Sequence, residues 1–170
     1  AHAAGRIWAT AVRPNVIYGR RDRQFVPRMA KLLRRGLVPL IGGGRAIFSV
    51  THAANVADGA VRSVGCDVAG GRAYNLANDY EVTVRRFFEL AGDGLGIRVR
   101  FVPIPLPAAK VAFGIVKSAA RALTGGRFNV ISNASLGMLT KDNPFTSARA
   151  RRELGWSPMV RPEQGVPEAF

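Results

Sequence analysis

Few residues in this chain have types and spacing suited to chemistry. The most suggestive stretch is Arg13-Pro14-Asn15-Val16-Ile17-Tyr18-Gly19, followed by the basic run Arg20-Arg21-Asp22-Arg23. Apolar residues lead into it (Ile7, Trp8, Ala9, Ala11, Val12). This predicts a buried strand that stops at a turn, because Pro14 has no N–H to give to a ladder. In α/β folds such strand ends carry the groups that touch ligands. His52 is by residue type a candidate general base. Gly42-Gly43-Gly44 invites comparison with a phosphate-cradling loop, but no Gly-Lys-Ser/Thr follows it, and a tight hairpin turn is the expected structure. Arg28, Lys31, Arg34 and Arg35 crowd one segment, either as a site for an anionic ligand or, the preferred reading, as a solvated helix face.

Those residues need elements to position them. At 170 residues, 48% of them hydrophobic, the chain has enough material for one ordinary domain and is not compositionally disordered. The net charge of +14 would flag a nucleic-acid binder if the cations were clustered. They are instead spread through nearly every segment, without RNA-recognition, zinc or helix-turn-helix spacing, so a solvated basic surface is the better account. A lone cysteine, Cys66, rules out an internal disulfide and fits a reducing compartment. No cleavable leader is visible and no apolar run is long enough to span a bilayer, so the expected location is the cytoplasm.

Hydrophobic periodicity predicts helices over residues 25–35, 53–64, 83–91 and 108–123. Gly36 is placed to stop the first. Thr51 is expected to cap the second, with Val56, Ala57, Ala60, Val61 and Val64 on its inner face, and Thr83 to cap the third, with Val84, Phe87, Phe88 and Ala91 inward. The fourth carries Lys110, Lys117 and Arg121 at spacings of seven and four and is expected to pack over the core or a substrate entrance. A membrane-surface role for it is the less favoured alternative. Short apolar or alternating runs predict strands at residues 37–41, 46–51, 72–76 and 97–102. Gly125-Gly126 breaks the chain, Ser132 or Asn133 caps a short helix, and residues 146–158 form a helix ended by Gly155 and anchored by Trp156. Pro162 opens a last helix.

Three segments in this order resemble the extended short-chain dehydrogenase/reductases, in the NAD-dependent epimerase/dehydratase and 3β-hydroxysteroid dehydrogenase-like branch. The first is Val12-Arg13-Pro14-Asn15-Val16-Ile17-Tyr18-Gly19. The second is Ile41-Gly42-Gly43-Gly44 with Phe48-Ser49-Val50-Thr51-His52-Ala53-Ala54-Asn55-Val56-Ala57-Asp58. The third is Ser147-Ala148-Arg149-Ala150-Arg151-Arg152-Glu153-Leu154-Gly155-Trp156-Ser157-Pro158. The resemblance implies an α/β fold: the C-terminal part of a Rossmann-like doubly wound sheet plus a small, mostly helical substrate-binding lobe. Residues 1–24 and about 46–76 would be the Rossmann remnant, and about 25–45 and 77–170 the lobe, in a single truncated unit.

What the resemblance implies for function is equally specific. The family's Gly-x-x-Gly-x-x-Gly dinucleotide turn has no counterpart here, and no tyrosine is followed four positions later by lysine: Tyr18 has Asp22 there, Tyr74 has Asn78 and Tyr80 has Val84. The chain is therefore expected to begin just after its catalytic helix. No catalytic and no metal-binding residue is assigned. Pro14 and Val16 match the strand end that faces the nicotinamide and are the cofactor-binding candidates, and Asn15 and Tyr18 are the substrate-binding candidates. Val16 stands where nucleotide-sugar epimerases carry asparagine, which points to an apolar substrate. Arg20 replaces the family's usual proline after Tyr-Gly. His52 falls at a structural strand-to-helix position, and Asn55 is expected to tie a neighbouring loop. The expected activity is that of the substrate-binding half of an NAD(P)-dependent oxidoreductase or epimerase, with NAD or NADP in the parent family and neither held tightly by this chain alone. Its expected partners are a small-molecule substrate and the missing N-terminal half. The alternative is a basic, non-catalytic module for nucleic acid or an acidic partner.

Overall fold

The computed structural model describes Gly5 and residues 7–77, 80–124 and 133–170. Six strands form three parallel pairs: β1 (Ala11–Pro14) with β5 (Ala73–Leu76), β2 (Val16–Tyr18) with β4 (Val50–His52), and β3 (Leu37–Ile41) with β6 (Arg100–Ile104). Parallel partners require long connections, and these carry α1 (Phe25–Leu33), α2 (Ala53–Val64) and α3 (Val84–Gly94). The helices α4 (Leu106–Thr124), α5 (Asn133–Thr140), α6 (Ala148–Leu154) and α7 (Pro162–Ala169) follow the last strand. This is the mixed α/β architecture with parallel pairing that the sequence predicts.

Local chemistry sets most boundaries. Asp22 starts α1: its carboxylate accepts the N–H groups of Gln24 (2.6 Å), Phe25 (2.9 Å) and Val26 (3.2 Å), satisfying donors that a helix start leaves open. Gly36, at φ +79°, ends the same segment. Thr83 caps α3, its Oγ1 accepting the Arg86 N–H at 3.1 Å, and Val84, Phe87, Phe88 and Ala91 are buried as expected. Phe87 is the hub of the larger core, with the rings of Tyr18, Phe25, Phe48, Phe88 and Phe170 at centroid distances of 4.9–6.2 Å. A second core surrounds Trp156, with Tyr74, Leu76, Ala150 and Leu154. Every lysine and arginine whose burial is described is exposed, so the charge is a solvated surface.

Several expectations fail, each for a tertiary reason. Gly42–Gly44 forms a 3-10 turn with φ of +60°, +75° and +64°, and the chain leaving it does not fold back as a hairpin: β3 pairs with the distant β6. The strand over 46–51 contracts to Val50–His52, and Ile47 instead bridges Thr83. The cap of α2 is His52, whose Nδ1 accepts the Ala54 N–H at 3.2 Å, while Thr51 donates its hydroxyl to the Leu76 carbonyl. The buried face of α2 is Asn55, Gly59 and Ser63, leaving Val61 and Val64 at 73% and 70% exposure. Close approach selects the small residues: a Cβ on Gly59 would lie 2.5 Å from Leu76 Cδ1 and 3.1 Å from Trp156 Nε1.

The predicted buried strand is also more open than expected. Ile7 and Trp8 are 56% and 47% exposed, because β1 pairs along only one edge among the described residues. Helix α4 is mostly exposed among its residues whose burial is described. Val111 and Ile115 are exposed, and Ala109 is its one buried residue among those whose burial is described. Gly125, Gly126, Ser132 and the Asn78-Asp79 turn lie outside the described residues.

Candidate functional site

The candidate site is the seam between β1 and β2. Pro14 closes the β1–β5 ladder opposite Leu76, and only Asn15 separates it from Val16, whose N–H donates to the Ser49 carbonyl at 3.2 Å as β2 takes up β4. The chain thus changes partner within one residue. The change opens a cleft of about 740 Å³ lined by Pro14, Asn15, Val16 and Ser49 on one side and by Gly137, Met138 and residues 141–145 on the other. Asn143 Nδ2 donates to Asn15 Oδ1 (2.9 Å) and Asp142 Oδ1 accepts the Ile47 N–H (2.7 Å), so two side chains fasten the 141–145 segment along that wall.

A second cleft of about 800 Å³ lies at the carboxyl ends of β2 and β4. Val16, Ile17, Tyr18, Phe25, Ala53 and Ala54 supply much of its lining, and residues 19–24 its rim. The four predicted site residues are therefore divided: Pro14 and Asn15 line the first cleft, Tyr18 the second, and Val16 both. Tyr18 is almost wholly buried, its ring edge-on to His52 (5.2 Å) and Phe87 (5.6 Å), so it forms floor rather than a mobile acid.

The walls are held by polar groups of exact complementarity. Asn55, fully buried, accepts the N–H groups of Met159 and Val160 at Oδ1 (2.9 Å each) and donates from Nδ2 to the Val160 carbonyl (2.9 Å). Trp156 Nε1 donates to the Asn55 carbonyl (2.9 Å). This clamp, expected from sequence as a tie to a neighbouring loop, fixes the approach to α7. There a Cβ on Gly165 would fall 2.8 Å from His52 Cδ2. With Nδ1 accepting the helix-cap bond, His52 has the structural role expected of it.

Three positioning groups escaped the sequence reading. Asp22 caps α1, and its signal was available: an acid three residues before the first apolar helical position. Ser147 bridges α6 to β5, donating to the Ala77 carbonyl and accepting the Ala77 N–H (3.0 Å). Glu153 accepts Arg72 Nη1 (2.8 Å) and the Tyr74 hydroxyl (3.0 Å), and Arg149 and Arg152 stand 3.8 and 3.3 Å away. The Arg72 hydrogen bond holds the Glu153 carboxyl below the usual carboxylate range, and burial pushes the Tyr74 phenol up. Nothing in sequence spacing announces this latch, since its members are about 80 residues apart. Among the described residues no group of His, Cys, Asp or Glu could hold a metal ion.

The model of the 3-beta hydroxysteroid dehydrogenase/isomerase family matches residues 2–78, which contain the seam, α2 and both strands that pair with it. A ketoreductase of Stigmatella aurantiaca, named for 4-hydroxy-2-methyl-3-oxo-4-farnesyl-3,4-dihydroquinoline-1-oxide, is 30% identical over 91% of this chain and 46% of its own length. The 3beta-hydroxysteroid-dehydrogenase/decarboxylase isoform 1 of Arabidopsis thaliana is 28% identical over 91% of this chain and 38% of its own. The family model and these relatives together support an NAD-dependent epimerase/dehydratase-like short-chain dehydrogenase/reductase. Among solved structures, the human epimerase family protein SDR39U1 (isoform 2) with NADPH superposes with a TM-score of 0.65 at 20% identity, covering 98% of this chain and 51% of that one. UDP-glucuronic acid 4-epimerase of Bacillus cereus, in complex with UDP-glucuronic acid and NAD, gives 0.65 at 14% identity, over 99% and 46%. At these identities the structures establish the Rossmann-type fold of the family. The chain spans less than half the length of the curated relatives named here. The relatives, named as a ketoreductase and a dehydrogenase/decarboxylase, support a member of an oxidoreductase family. No helix among the described residues is long and apolar enough to cross a membrane.

Proposed function

We propose that these 170 residues are the substrate-facing half of an NAD(P)-dependent oxidoreductase or epimerase that acts in the cytoplasm on a carbinol or carbonyl of an apolar small molecule. The observation that carries the reading is the partner change at Asn15, which opens a cleft at the carboxyl end of β1, the place where open α/β sheets bind ligands. In this reading the backbone of Pro14 and Val16 borders the nicotinamide, and Asn15 and Tyr18 border the substrate. Residues 1–24 and about 46–76 belong to the cofactor-side sheet, and about 25–45 and 77–170 to the substrate lobe. The apolar substrate is supported by Val16 at the seam and by relatives named for a farnesylated quinoline oxide and a 3β-hydroxysteroid.

No Gly-x-x-Gly-x-x-Gly turn is present in these 170 residues to cradle the dinucleotide's phosphates. The Gly42–Gly44 turn is packed at Gly44, where a Cβ would fall 2.4 Å from Leu40 Cδ1 and 3.1 Å from Arg85 Cβ, and open at Gly42, where a Cβ would meet nothing within 4 Å. No step is therefore assigned to residues of this chain. In this reading the Gly-rich grip and the Tyr-x-x-x-Lys pair are carried by sequence outside these residues.

Fluorescence titration with NADH and NADPH tests the division of labour. The 170-residue chain should show no micromolar binding, whereas a protein that extends the same reading frame through a Gly-rich turn and a Tyr-x-x-x-Lys pair should bind and transfer hydride. Micromolar binding by the 170 residues, or a preceding reading frame without either motif, overturns the proposal.

A further inference from the structure

The basic run after the seam converges on the second cleft. Arg20, Arg21 and Arg23 rim it at the carboxyl ends of β2 and β4. All three are exposed, and none forms an ion pair with a described carboxylate. Two acids also line the cleft, and both are engaged. Asp22 is turned inward by three backbone N–H groups at the start of α1. Exposed Glu168 accepts from Gln164 Nε2 at 3.4 Å. Much of the remaining lining is apolar: Ile17, Phe25, Ala53 and the buried ring of Tyr18. Three cations at the mouth of an apolar cavity of about 800 Å³ make an amphipathic site, with low-dielectric walls that strengthen the field at its rim.

We infer that this cleft binds an amphipathic anion, a carboxylate or phosphate head held by Arg20, Arg21 and Arg23 over an apolar body lying against Tyr18 and Phe25. Guanidinium groups present paired donors that match both head groups. Naming this ligand as the substrate rests on the proposed function. The binding itself does not, and it is measured without a nicotinamide.

The chain contains two histidines, so the ring protons of His52, which lines the cleft, are separable by NMR from those of His2. Decanoate, decyl phosphate and decanol are titrated into the 170-residue chain. The anions should shift the His52 resonances and bind about tenfold or more tightly than decanol, the discrimination a charge-assisted hydrogen bond provides. The variant Arg20→Gln/Arg21→Gln/Arg23→Gln should lower anion affinity to that of decanol and leave decanol unchanged. A matched variant on the exposed face of α1, Arg28→Gln/Lys31→Gln/Arg34→Gln, should keep the preference. Equal binding of anion and alcohol, no shift at His52, or an equal loss in the α1 variant overturns the inference, whatever the hydride-transfer assay shows. The ratio of decanoate to decyl phosphate affinity identifies the head group.

Discussion

Replacing Asn55 with alanine removes three hydrogen bonds at once from a fully buried side chain: two accepted from Met159 and Val160 and one donated to the Val160 carbonyl. At roughly 1 kcal/mol net for each, Asn55→Ala should cost about 3 kcal/mol, a large share of the roughly 5–15 kcal/mol that stabilises a typical domain. The cost is structural first and functional second. The clamp fixes the segment that enters α7, and α7 presses Gly165 against His52 at the wall of the second cleft. Urea unfolding followed by far-UV circular dichroism measures the loss, with Arg28→Ala on the exposed face of α1 as a control expected to move stability by no more than about 0.5 kcal/mol. Asn55→Asp provides a second readout. It keeps both accepted bonds but turns the Nδ2 donor into a carboxylate oxygen facing the Val160 carbonyl oxygen, where the donated bond was 2.9 Å, in a fully buried position. Its loss near neutral pH should therefore be at least as large as that of the alanine variant. A cost below about 1 kcal/mol for Asn55→Ala would refute the idea that this side chain carries the junction.

Two further predictions concern the elements that carry the seam. Gly59→Ala improves intrinsic helix propensity by about 1 kcal/mol, yet it should destabilise by roughly 1–2 kcal/mol net, because its Cβ would meet Leu76 at 2.5 Å and Trp156 at 3.1 Å; a stabilised variant in urea unfolding would disprove the close contact. Glu153 has a lowered carboxyl pKa, so its contribution is fully present above the ordinary value near 4.5 and is lost as pH falls through the depressed one. The Tm advantage of the wild type over Glu153→Gln should accordingly hold near neutrality and shrink in acid, and a gap independent of pH would rule out the charged latch. Tyr74 has the opposite sign: its pKa is raised, so its contribution is present below the ordinary phenol value near 10 and is lost as pH climbs through the raised one.

The sequence by itself determined the elements whose signals are local. Thr83 with Val84, Phe87, Phe88 and Ala91 specified the cap and inner face of α3, because a helix cap and a 3.6-residue stripe are both short-range patterns. Gly155 in the left-handed region, Pro162 at the first position of α7 and the four residues of β5 were legible for the same reason. The quoted motifs also marked Pro14, Asn15, Val16 and Tyr18 as the site candidates. Tertiary structure decided what those residues face. Nothing local says that β2 leaves the β5 ladder for β4, that β3 waits for β6 about 60 residues later, or that Arg20, Arg21 and Arg23 gather at one cavity. The inner face of α2 is the clearest case. Hydrophobicity favoured its valines, but the buried face is Asn55, Gly59 and Ser63, with Leu76 and Trp156 too close to Gly59 for a Cβ, and burial follows from the distance between elements, which no single segment encodes.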